Sequence, residues 1–189
     1  AERRALSIGP EAMCDLLFTS GTTGQPKGVM SAHGQNLRAF GEYVRVIGLA
    51  PGDRYLIVNP FFHAFGYKAG WLTCLIAGAT ILPHAVFDAD AVFQRIAAER
   101  ISVLPGAPTL YLSLLAHPRL AETDLSSLRI AVTGSASIPP SLIERMRSEL
   151  GFSVVTTAYG LTECGGLATI CDPADPAQED RRALPEACL

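Results

Sequence analysis

Charge is scarce in this chain. Only 17% of its 189 residues are charged, against 49% hydrophobic, and the 15 Lys and Arg are scattered. Without a basic stripe, nucleic acid is not an expected partner. Long apolar runs are missing too: stretches such as 71–77 are interrupted by Gly, Pro or polar residues and fall well short of a membrane span. Residues 1–13, AERRALSIGPEAM, carry two arginines but no apolar run and no cleavage pattern, so they do not read as a signal peptide. An initiator Met is also lacking, which predicts a fragment or a trimmed chain. There is no CxxC. Cys14, Cys74, Cys164, Cys171 and Cys188 are odd in number and widely spaced, so neither a zinc site nor a disulfide framework is expected. Reduced thiols in a cytoplasmic protein are the expectation instead. Cys164 has no His or basic neighbour in sequence and reads as a lining or packing residue, not a nucleophile. No repeat and no coiled coil is visible, and the length suits one packed domain.

What is present is an alternation of strand-length apolar runs and helical periods. Residues 16–19 read as a buried strand entering a glycine-rich turn. Leu37, Phe40, Val44 and Ile47 recur at steps of three and four, one face of a helix over 36–47 that Gly48 and Pro51 end. Residues 55–58 and 80–82 are short strands, with a buried helix over 67–77 between them, closed by Gly78. Asp88 is a candidate N-cap for a helix to Arg100, with Val92, Phe93, Ile96 and Ala97 inward. Residues 101–104 are strand-like and Pro105-Gly106 breaks them. A helix over 108–116, a strand over 129–133, a helix opened by Pro139 or Pro140, and a strand over 154–157 complete the series. This pattern predicts an α/β domain with a largely parallel sheet flanked by helices. Ligands of such folds sit beyond the carboxyl ends of strands. The tail after Cys171, rich in Pro, Ala and charge, reads as an irregular end, giving a core over 1–171 and a tail over 172–189.

Four loops follow strands and carry chemistry. The first, Thr19-Ser20-Gly21-Thr22-Thr23-Gly24-Gln25-Pro26-Lys27-Gly28, crowds hydroxyls, glycines and one lysine together. Glycines let backbone N–H groups approach an anion, hydroxyls donate to its oxygens, and lysine offsets its charge. A plain surface turn needs no such density of hydroxyls. It is not a Walker loop, because Pro26 and Gly28 stand where Gly and Ser or Thr would flank the lysine. The second is Asn59-Pro60-Phe61-Phe62-His63-Ala64-Phe65-Gly66, the third Gly134-Ser135-Ala136, the fourth Ala158-Tyr159-Gly160-Leu161-Thr162-Glu163. An aromatic face suits a purine, and a carboxylate suits a hard cation bridging phosphates. Read separately, the third is an ordinary strand-to-helix turn, Tyr159 a core residue and Glu163 a solvated charge. His33, His84 and His117 have no comparable setting and read as structural or exposed.

Together these loops, in this order, resemble the adenylate-forming superfamily of acyl-CoA synthetases, peptide-synthetase adenylation domains and beetle luciferases. The resemblance implies the central part of the N-terminal domain of such an enzyme, with ATP, Mg and CoA as cofactors and a carboxylic acid as substrate. It places Thr19, Ser20, Gly21, Thr22, Thr23, Gly24 and Lys27 around the ATP phosphates and Gly134, Ser135 and Ala136 on the adenine side. It stacks Tyr159 on adenine next to Gly160, puts Thr162 on the α-phosphate and gives Glu163 to Mg. Lys27, Thr162 and Glu163 are the catalytic candidates. Phe62, His63 and Gly66 correspond to the acyl and pantetheine pocket. Amino-acid-activating relatives place an aspartate in that segment, whereas His63 stands here with no acid nearby, which favours a plain acid. The stretch 53–70 looks most like actinobacterial acyl-CoA ligases, including those acting on propanoate side chains of steroid-ring remnants. The expected function is ATP-dependent activation of the acid to an acyl-adenylate and then to acyl-CoA, in fatty acid or lipid metabolism. Alternatives are loading of a carrier protein and a nucleotide-binding fragment without catalysis. The family's ribose-binding aspartate and mobile C-terminal domain do not occur in these residues, so the isolated chain is expected to be a poor catalyst.

Overall fold

The computed structural model describes residues 7–21 and 24–174. Thr22, Thr23, Cys188 and most of the tail lie outside the described residues. The chain runs β1 (Met13–Thr19), β2 (Lys27–Ala32), α1 (His33–Ile47), β3 (Arg54–Ile57) and α2 (Ala64–Gly66). A π-helical turn (Tyr67–Leu72), α3 (Thr73–Ala77), β4 (Thr80–Pro83), α4 (Ala89–Glu99) and α5 (Pro108–Leu115) follow. A 3-10 turn (Pro118–Ala121), β5 (Ile130–Gly134), α6 (Pro140–Ser148), β6 (Val154–Tyr159), a second 3-10 turn (Thr162–Cys164) and β7 (Thr169–Ile170) complete it.

The expected parallel sheet is present. β3 pairs parallel with β4, and β5 with β6, while β7 closes the far edge antiparallel to β6. The two halves are joined by residues 101–106. Val103 bridges Tyr55 on one side and Ile130 on the other, and Gly106 bridges Thr133. Leu56 N–H donates to Val103 O at 2.9 Å, and Leu104 and Gly106 N–H donate to Ile130 O and Val132 O at 3.0 Å. This segment is the central strand in all but regularity, because Pro105 lacks the N–H that a continuous ladder needs.

Helices cover the sheet's two faces. On one, Val92, Phe93 and Ile96 of α4, Tyr111 and Leu114 of α5, and Ile143 and Met146 of α6 pack with Leu56, Leu104, Ala131 and Val155. On the other, Phe40, Tyr43 and Ile47 of α1 pack with Tyr55, Ile57, Cys74, Val103 and Val132. Asp88 caps α4, accepting from Ala91 N–H at 2.8 Å, and Gly48 ends α1 in the left-handed conformation.

Four expectations are corrected. The strand at 16–19 is real but not buried. It is half of an antiparallel hairpin with β2, and Leu16, Phe18 and Met30 on its outer face are exposed, Phe18 by 70%. Helix α1 begins at His33, and its inward face is Asn36, Phe40, Tyr43 and Ile47, leaving Leu37 exposed. Asn36 displaces Leu37 because its amide has polar partners inside. Ala97 of α4 is likewise exposed. Finally, 67–77 is not one α-helix: it winds as a π turn and then as α3. Thr73 Oγ1 lies 2.8 Å from Ala69 O and 2.7 Å from Gly70 O and shares its one proton between them, and the Tyr55 hydroxyl also donates to Ala69 O, which gives partners to the carbonyls that the wider turn leaves over.

Candidate active site

The phosphate-loop candidate closes the β1–β2 hairpin. Thr19 pairs with Lys27 at its base, and Ser20 and Gly24 are exposed at its tip. Gly21 has φ +66, and a Cβ there would strike the Gln25 carbonyl, so the loop accepts only glycine at that point. Thr22 and Thr23 lie outside the described residues.

The other three loops follow the carboxyl ends of the parallel strands β3, β5 and β6, in a sheet separate from the hairpin. Gly134 ends β5 opposite Ala158 of β6, so close that a Cβ would meet the Ala158 carbonyl. Ser135 next to it has φ +67, a left-handed conformation uncommon outside glycine and held only where the surroundings impose it. Ser135 and Ala136 are exposed. Tyr159 ends β6 with its side chain 53% exposed, so it is not a core residue. Gly160 and Leu161 lead into the 3-10 turn of Thr162, Glu163 and Cys164, which Gly165 ends. Cys164 Sγ lies 3.1 Å from Leu161 O and 3.2 Å from Leu161 N, a turn-closing role consistent with a lining residue.

This turn reaches two neighbours. A Cβ on Gly166 would lie 2.7 Å from the Ala64 side chain, and one on Gly165 would lie 3.8 Å from Asn36 Oδ1. The 158–166 loop thus touches both the His63 segment and α1. Glu163 and Cys164 line a cleft of about 190 Å3 with Met30, Ser31, Gln35 and Asn36. His63 is the N-cap of α2, its Nδ1 accepting from Phe65 N–H at 3.1 Å. That bond needs a lone pair on Nδ1, so the neutral ring carries its proton on Nε2. Phe62 is exposed and Gly66 is buried, packed on the carbonyls of Asn59 and Pro60. Of the other histidines, His117 caps the 3-10 turn at Pro118, and burial together with Arg95 lowers the pKa of His84.

Among the described residues no cluster of three or more His, Cys, Asp and Glu is placed to hold a metal. A lone carboxylate such as Glu163 still suits magnesium carried on phosphates, since that ion takes one or two carboxylates and otherwise waters and phosphate oxygens.

A buried polar cluster beneath the hairpin was not foreseen. Asp15 accepts from Ser31 Oγ at 2.7 Å and from Asn36 Nδ2 at 2.9 Å, and Lys68 Nζ lies 3.3 Å from it. Lys68 donates to Ser31 Oγ at 2.9 Å, and Asn36 does so at 3.2 Å. The Tyr67 hydroxyl donates to Asp15 Oδ2 at 3.3 Å. Burial would raise the Asp15 pKa, but the bonds from Ser31, Lys68 and Asn36 outweigh it and hold the carboxyl below its ordinary value. The signal in the sequence was Asp15 inside an apolar strand and Lys68 inside an apolar helical run.

These features define a class. The chain belongs to the AMP-binding enzyme family, whose profile matches residues 2–187. Among individual proteins it is 53% identical, over 92% of its length, to a 3-[(3aS,4S,7aS)-7a-methyl-1,5-dioxo-octahydro-1H-inden-4-yl]propanoyl:CoA ligase of Mycobacterium tuberculosis, and it spans 34% of that relative. The N-terminal domain of FACL13 from Mycobacterium tuberculosis, solved with an inhibitor, superposes with a TM-score of 0.81 at 29% identity, over 92% of this chain and 43% of that one. The o-succinylbenzoate coenzyme A synthetase of Bacillus subtilis, solved in complex with ATP and magnesium, superposes with a TM-score of 0.76 at 30% identity, over 88% of this chain and 34% of that one. The fold is therefore that of the N-terminal domain of adenylate-forming enzymes. The chain spans about a third of the curated relative (34%). No helix among the described residues is long and apolar enough to cross a membrane.

Proposed function

We propose that this chain is the ATP-binding part of an AMP-forming acid–CoA ligase. The observation that carries the reading is that loops 59–66, 134–136 and 158–163 follow the carboxyl ends of the parallel strands β3, β5 and β6, while Met30 and Ser31 of the hairpin that bears loop 19–28 share a cleft with Glu163. In the first step a substrate carboxylate oxygen attacks the α-phosphorus of ATP. The bond to the bridging oxygen breaks and pyrophosphate leaves. In the second, the CoA sulfur attacks the acyl carbon, the thiol proton is lost and AMP departs. No enzyme nucleophile is required, so the protein's work is positioning and charge compensation.

Lys27 and the hydroxyls of Thr19, Ser20, Thr22 and Thr23, with the N–H groups of Gly21 and Gly24, cradle the β- and γ-phosphates. Tyr159 would stack on adenine, with Gly160 beside it and Gly134, Ser135 and Ala136 forming the adenine-side loop. Thr162 donates to the α-phosphate. Glu163 holds magnesium, which offsets phosphate charge when bound. His63 presents Nε2–H toward the acid, and Phe62 and Gly66 shape the space around it. The exposure of Tyr159 and the left-handed Ser135 support these roles, because both conformations cost free energy that a bound nucleotide would repay.

The name of the Mycobacterium tuberculosis relative describes a propanoyl group on a methylated, oxidised fused-ring system. We assign this chain an acid of that class, a short carboxylate chain on an apolar ring remnant. The same reading takes residues 1–171 as an incomplete AMP-binding core; the tail expected at 172–189 lies almost wholly outside the described residues, and the family match continues to residue 187. It also takes the protein as cytoplasmic. The test is an assay of the complete gene product with ATP, CoA and a panel of carboxylic acids. AMP and pyrophosphate should appear only with acid present, fastest with ring-bearing propanoates. Release of ADP and inorganic phosphate, or turnover independent of acid, would overturn the reading.

A further inference from the structure

Lys68 is only 1% exposed and sits in the π-helical turn that follows the His63 segment. A buried ammonium is costly to desolvate, and packing alone would be met as well by an apolar side chain. Its partners belong to other elements: Asp15 on β1, Ser31 on β2 and, through them, Asn36 on α1. The hydroxyl at its centre is saturated. Ser31 Oγ donates once, to Asp15, and accepts twice, from Lys68 and Asn36, which is a hydroxyl's full capacity. The two Asp15 oxygens divide the cluster, Oδ1 facing Ser31 and Lys68, Oδ2 facing Asn36 and Tyr67.

Asp15 and Ser31 are paired across the hairpin that carries the 19–28 loop, and its outer face is exposed. The clasp is thus a polar tie between the phosphate loop and the turn behind His63. Tyr67, which bonds Asp15, also stacks on Trp71 with ring centroids 4.7 Å apart. Trp71 is the only tryptophan in the sequence.

We infer that Lys68 is a positioning residue which, through Asp15, couples occupancy of the phosphate loop to the geometry of the acid-side segment at 63–70. This rests on the nucleotide-binding reading above. Nucleotide held at 19–28 orders the hairpin. Asp15 moves with it, and Lys68 and Tyr67 transmit the change to the segment behind His63.

The test titrates the 189-residue chain with Mg·ATP and reads two signals, bound nucleotide by equilibrium dialysis and Trp71 emission. The wild-type chain should bind saturably, with an emission change of the same midpoint. The double variant Asp15→Asn/Lys68→Met removes both charges together, so no lone buried ion remains. It should still bind, about tenfold more weakly, as expected for coupling between sites, while the emission change disappears. Lys68→Arg, which keeps the charge, should recover part of the response. If the double variant fails to fold, Ser31→Ala, which removes the hydroxyl that Asp15 and Lys68 share and leaves the two charges paired, carries the same test. A full Trp71 response at wild-type affinity in a folded variant would overturn the inference. So would wild-type binding without any Trp71 response, which leaves the functional reading intact. No binding by the wild-type chain would overturn both.

Discussion

Around Phe93 and Tyr111 the molecule is held by apolar side chains from three helices and the sheet, whereas the β1–β2 hairpin is tied to the body through Asp15, Ser31, Asn36 and Lys68. The first kind of attachment is redundant and non-directional, so loss of one group leaves many others. The second is directional and small in number, so it fixes position closely but fails when one member is removed. The loop proposed to hold phosphates stands on the second kind of support, and the sheet on the first.

This contrast can be broken from both sides. Phe93→Ala should have the largest effect on stability, about 3–5 kcal/mol, since Phe93 is fully buried and the cavity left behind collapses only in part. Urea unfolding measures it. Lys68→Met alone should cost about 3 kcal/mol by stranding Asp15, whereas the double change with Asp15→Asn should recover most of that loss. A double-mutant cycle in urea separates the two.

The same pair makes the hairpin acid-sensitive. The Asp15 pKa is lowered in the folded state, so its contribution is fully present above the ordinary aspartate value and is lost as pH falls through the depressed one. Amide exchange of β1 and β2 should therefore quicken in strongly acidic solution before that of β5 and β6. In the Asp15→Asn variant this selective acid effect should be absent. Smallest, Asp88→Ala should cost about 1 kcal/mol by removing the α4 cap, with nucleotide binding unchanged.

Much of the sheet and its helices was legible in the sequence because hydrophobic period and punctuation agree there. Gly48, Gly78 and Asp88 stand where chain direction changes, and the structure puts them there. The hairpin was less legible. Leu16 and Phe18 look like core, yet they face outward, since strand alternation defines two faces without saying which is buried. Strand β2 was hidden because Lys27–Ala32 lacks a strong apolar alternation. The π turn was hidden because Tyr67, Ala69 and Trp71 suit a helix of any winding, and its cause lies in partners distant in sequence, such as Tyr55. The four loops were recognisable by residue type, and the structure puts three of them, 59–66, 134–136 and 158–163, after the carboxyl ends of parallel strands. The polar clasp was not recognisable, because Asp15 and Lys68 become neighbours only through the fold.

The central claim, that the 19–28 loop grips the phosphates of ATP, is tested most directly by Mg·ATP binding to the wild-type chain and to Lys27→Ala. Lys27 lies at the exposed base of the loop, so its removal should leave the unfolding midpoint unchanged. The account predicts saturable binding that Lys27→Ala weakens at least about tenfold, the loss expected for a charge-assisted phosphate contact. Equal affinity of the two chains for Mg·ATP would contradict it.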